Sequence, residues 1–88
     1  MPNAFIGNLV QTPMDQTTNG GMDKSPAIIV EVGGTGPNGG ILVNIDVFSN
    51  NALSLVTHAA GVEFMDYEQD ARNLGIGAGA WPLDQPWA

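Results

Sequence analysis

The chain has no cysteine, and only two of its 88 residues, Lys24 and Arg72, carry positive charge. Without cysteine no disulfide can staple it, and no Cys/His cluster offers a structural zinc site. Packing, within the chain or against neighbours, has to hold the fold. Two cations against nine carboxylates leave a formal net charge of −7. Neutralising two phosphates would give a salt slope of only about −1.8. Nucleic acid and anionic membrane surfaces are therefore poor partners, whereas a basic protein surface is not. No apolar run approaches the ~18–20 residues of a membrane helix. The first ten residues lack the basic start and long apolar stretch of a signal peptide. The expected location is the cytoplasm, or a virion assembled there.

What the chain does have is alternation. In 41–48, Ile41, Val43, Ile45 and Val47 fall on one face, and Asn44 and Asp46 on the other. That is the pattern of a strand with one buried and one wet side. In 27–32, Ile28, Val30 and Val32 alternate with Ala27, Ile29 and Glu31, and Pro26 sits at the strand start, where its missing N–H does least harm. The link 33–40, Gly-Gly-Thr-Gly-Pro-Asn-Gly-Gly, is long for a hairpin. Asn38-Gly39 is its best turn signal. The expected tip is mobile, or held by a partner.

These features predict a mainly β fold: a small antiparallel sheet built on a 26–48 hairpin, with a short helix about 63–74. Residues 52–60 fit either a third strand, with Leu53, Leu55 and Thr57 on one face, or a helix capped by Asn50 or Asn51; the short run beside two strong strands favours the strand. For the helix, Phe64, Tyr67, Ala71 and Leu74 form one apolar stripe, Glu68 precedes Arg72 by four, and Gly75 suits the C-cap. The rival reading makes 62–67 a strand with Val62 and Phe64 inward. The expected division is an N-terminal arm over 1–25, a β-rich core over 26–74 and a C-terminal arm over 75–88. Glycines at 75, 77 and 79 give the last segment little power to form an element alone.

Candidate sites for chemistry are weak. Residues 34–39 match G-x-G-x-x-G, but a strand rather than a helix follows and Pro37 intrudes, so no dinucleotide site is expected. Asp66, Glu68 and Asp70 alternate, but Ala71 and Gly77 stand where a calcium loop needs glycine and glutamate. His58 is the sole histidine, and no nucleophile elbow surrounds Ser25, Ser49 or Ser54. The expectation is a non-enzymatic protein without metal, cofactor or small-molecule substrate.

Large apolar side chains near the ends carry the remaining signal. Phe5, Ile6, Trp81, Leu83 and Trp87 are the candidate interaction residues, since an indole buries on the order of 200 Å²; the two indoles dock either on another subunit or back on the chain's own sheet. The expected partner is protein, in a larger assembly or capsid-like lattice, with self-association. In composition, being small, acidic, glycine-rich and cysteine-free with extended ends, the chain resembles accessory proteins of phage particles, such as capsid decoration (cement) proteins. That resemblance implies a structural role in a virion. The alternative is an acidic binding module that occupies a partner's basic surface as an inhibitor or nucleic-acid mimic. Asp46, Glu63, Asp66, Glu68 and Asp70 are its candidate carboxylates.

Overall fold

A computed structural model describes residues 4–49 and 56–83. Five strands and one helix follow in order: β1 (Leu9–Pro13), β2 (Lys24–Thr35), β3 (Ile41–Phe48), β4 (Val56–Phe64), α1 (Glu68–Leu74) and β5 (Gly79–Pro82). The strands form a closed barrel in the order β1-β2-β3-β4-β5. The fold is mainly β, as the alternation predicts, and the β2–β3 hairpin is its longest unit.

The alternation sets what goes inside. Val43, Ile45 and Val47 of β3 point inward with Ala27 and Ile29 of β2, Val10 of β1, Val62 and Phe64 of β4, and Ala80 of β5. Each Val or Ile taken fully out of water stabilises by about 1.5–3 kcal/mol, as an upper estimate. Strict period-two packing breaks at Val30, an extra residue between the pairs Ile29↔Ile45 and Glu31↔Asn44. A second shift falls between Val32 and Thr35, and a third, on β4, beside Gly61. The Gly61 N–H donates to Asn44 Oδ1 (3.1 Å), so the irregular backbone keeps a partner. Such bulges bend and twist a sheet, which a barrel of so few strands requires.

Three expectations are corrected, and a fourth is extended. The first concerns the sheet, which is not wholly antiparallel: β4 and β5 run parallel through Glu63↔Gly79 and Phe64↔Ala80. The helical segment supplies the long crossover that a parallel neighbour needs. Second, the helix begins at Glu68. Val62 and Phe64 belong to β4 and are buried, as the rival strand reading has it. Third, the segments 1–25 and 75–88 contain β1 and β5, so the inner parts of both expected arms are barrel staves. Fourth, the third strand over 52–60 is β4, which runs on to Phe64; Leu53 and Leu55 lie outside the described residues.

The loop between β1 and β2 is held from within. Asp15 Oδ1 accepts the N–H (2.9 Å) and hydroxyl (2.7 Å) of Thr17. These two bonds, the hydroxyl's first, hold the Asp15 carboxyl below its usual pKa. Asn19 is fully buried, and its amide donates to Ser25 Oγ at 2.8 Å.

Candidate interaction surface

Along β1, Val10 and Thr12 are buried, while Leu9 on the opposite side is 52% exposed. Leu9 pairs with Ile28 of β2. On its other side the Leu83 N–H donates to the Leu9 carbonyl (3.4 Å), and Gln11 Nε2 donates to the Leu83 carbonyl. Upstream, Gly7 N–H donates to the Ile29 carbonyl (2.8 Å), and Ile29 N–H donates to Asn8 O (2.9 Å). Asn8 N–H closes a turn onto Phe5 O. These bonds seat the turn that carries Phe5 and Ile6 against the β2 backbone, just ahead of β1. Phe5, Ile6, Leu9 and Leu83 are all exposed, Ile6 the most at 72%, and none carries charge. Three of the five candidate interaction residues, Phe5, Ile6 and Leu83, thus flank one strand. Leu9, which joins them, was missed; its period-two relation to buried Val10 and Thr12 was the signal that could have found it.

Trp81 does not belong to this surface. It is 1% exposed, so the expectation that it anchors on another subunit is corrected. Ala80 enters the barrel interior, so the alternation of β5 turns Gly79 and Trp81 to the outside. There α1 covers them. A Cβ on Gly79 would run into the Ala71 backbone, which shows how closely the helix lies on the strand. Arg72 spreads over the indole, with its carbon 5.2 Å from the ring centroid. Trp87 lies outside the described residues.

The G-x-G-x-x-G link is a hairpin tip. Gly36 N–H donates to Gly40 O (2.7 Å), Gly39 N–H to Gly36 O (3.2 Å), and Gly39 takes φ 87°. Contrary to expectation, the tip is held by the chain itself. Glu63 is 3% exposed and turns its carboxylate into the loop. Oε2 accepts the N–H groups of Asn38 (2.9 Å) and Gly40 (2.8 Å), and Oε1 accepts Asn38 Nδ2 (3.0 Å). Burial pushes the Glu63 pKa up, but the Asn38 side chain and the two backbone donors together outweigh it and hold it below the usual value. Gly36 and Gly40 are required here, since a Cβ on Gly40 would stand 2.6 Å from Glu63 Cγ.

The remaining charged groups are scattered. His58 Nδ1 lies 2.8 Å from Asp46 Oδ1, across the β3–β4 ladder and on the outer face. Ser25, a candidate nucleophile, is buried against Asn19. Glu68 pairs with Arg72 (2.6 Å), and Glu63 faces the tip. Of the five carboxylates named for an acidic face, at least Asp46, Glu63 and Glu68 therefore have partners within the fold. Among the described residues, no group of three or more His, Asp or Glu side chains is placed to hold a metal ion, and no helix is long and apolar enough to cross a membrane.

No protein-family model, curated protein or solved structure matches the chain.

Proposed function

We propose that the protein is a non-enzymatic structural subunit that docks on a larger protein assembly through the Phe5–Ile6–Leu9–Leu83 surface. A phage virion accessory protein, such as a capsid decoration (cement) protein, is the kind of component that the composition and this surface suit best. The observation that carries the reading is a charge-free apolar group on the outside of a barrel whose interior is already filled. Exposed apolar side chains that cluster, rather than scatter singly, mark interaction sites. The acidic-module reading has less support, because the fold engages at least three of its five carboxylates internally.

The test is a double substitution, Leu9→Glu with Leu83→Glu. Both side chains are exposed, so the barrel should keep its stability within about 0.5 kcal/mol. Sedimentation of the purified protein over a concentration range, and its recovery with the native assembly, should then separate the two forms. The parent chain should self-associate or enter the assembly, and the variant should do neither. A monomeric parent that joins no assembly, or a variant that joins as well as the parent, would sink the proposal. Removing 79–88 is not a clean test, because it takes away β5.

A further inference from the structure

The geometry points to Asn38 as a modification site: its conversion to aspartate, by the spontaneous deamidation open to Asn-Gly sequences, would permanently unlatch the β2–β3 hairpin tip from Glu63. The reaction needs only water. The Gly39 backbone nitrogen bonds to Asn38 Cγ, the C–N bond of the side-chain amide breaks, and ammonia leaves. The resulting cyclic imide takes up water, which opens it to aspartate or isoaspartate.

The latched tip disfavours the first step, and the reason is on both sides of the bond to be made. Gly39 N–H donates to Gly36 O at 3.2 Å, and Asn38 Nδ2 donates to Glu63 Oε1 at 3.0 Å. Attack requires both to be released, so the reaction proceeds from an opened tip. The product cannot close again in the same way. An amide that donated to Glu63 becomes a carboxylate that can only accept, facing another carboxylate at hydrogen-bond distance. Among the described residues, no cation is paired with Glu63: the link 33–40 has no ionisable side chain, Leu42 on β3 and Gly79 on β5 stand opposite Glu63 in the sheet, and its own N–H donates to the Ala78 carbonyl. The tip is thus a one-way latch that records how often it has opened. The chain's other Asn-Gly, Asn19-Gly20, differs in place, since Asn19 is fully buried whereas Asn38 stands at an exposed tip.

Amide exchange protection at Gly40, measured by NMR on the whole chain, reads the latch directly. Asn38→Asp should lose protection by at least about tenfold relative to Asn38→Ala, because it adds repulsion to the lost bond. The excess should vanish near pH 4, where one proton shared by the two carboxyls restores a donor. Parent protein aged at alkaline pH should gain isoaspartate or aspartate at position 38, seen by peptide mapping, and the aged fraction should exchange like Asn38→Asp. Equal protection in Asn38→Asp and Asn38→Ala would overturn the proposal. So would an excess indifferent to pH, or ageing that converts Asn19 ahead of Asn38. Near-UV dichroism from buried Trp81 checks that each variant keeps its barrel.

Discussion

Arg72 lies over Trp81, its guanidinium carbon 5.2 Å from the ring centroid, and the same side chain reaches Glu68 (2.6 Å) and Asp23 (3.4 Å). One residue thereby ties together the helix, the β1–β2 loop and the outer side of β5. In a chain with one other cation, this contact cannot be remade by a neighbour.

Arg72→Ala should lower stability by about 1–2 kcal/mol. Cation–π contact contributes about 0.5–1 kcal/mol at exposed sites and more when partly desolvated. The two ion pairs are partly exposed and add little. Arg72→Lys should recover only part of the loss, since an ammonium lacks the planar fork that serves ring and carboxylates together. Urea unfolding with unchanged slope is the measurement.

Glu63 should make the fold acid-sensitive. Its folded pKa is below its ordinary value of 4.5. A carboxyl with a depressed folded pKa contributes stability that is present above the unfolded value and lost as pH falls through the folded one. Stability should therefore be level above about pH 5 and decline below 4.5. Asp15, also depressed, acts in the same direction. Glu63→Ala strands the Asn38 and Gly40 donors at the tip and should cost about 1–3 kcal/mol at pH 7. It should also flatten the acid limb, leaving the Asp15 part. Denaturant midpoints across pH 3–7 would show an unchanged limb if the latch were unimportant.

Two glycines of the 33–40 link should behave differently from a third. Gly40→Ala and Gly36→Ala force a methyl into the Glu63 side chain and should cost about 1–3 kcal/mol. Gly34→Ala meets nothing within 4 Å and needs no positive φ. It should be neutral or stabilise by up to about 0.4–1 kcal/mol by restricting the unfolded chain. Thermal midpoints of the three variants decide the matter.

Much of the hairpin was legible because its side chains obey a period of two on both sides of one interior. Val43, Ile45 and Val47 went where their spacing put them. On β2 the buried face is that of Ala27 and Ile29, not that of Ile28, Val30 and Val32, and with apolar residues on both faces alternation alone does not choose between them. Closure was invisible for a different reason. β5 has four residues, one of them glycine kept small for Ala71 and one an indole facing outward under α1. No periodicity can announce so short a stave, so the sequence leaves open whether Trp81 docks on its own chain or on another. Glu63 was equally hidden, because a single carboxylate in an acidic stretch looks solvated until the loop it enters is seen. Phe5, Ile6 and Leu83 stand out in the sequence by size alone, and all three are exposed.

β1 meets β5 through Val10↔Pro82 and Gln11↔Trp81, and β5 meets β4 through just two further pairs. During synthesis the earliest stave therefore stays half-partnered until residue 82 has left the ribosome. Both flanks of the growing sheet, β1 and β4, remain available to other chains for that whole interval. The stave made first is thus among the last to be completed, which makes the seam at β5 the place where chaperones or an early partner would have most to gain.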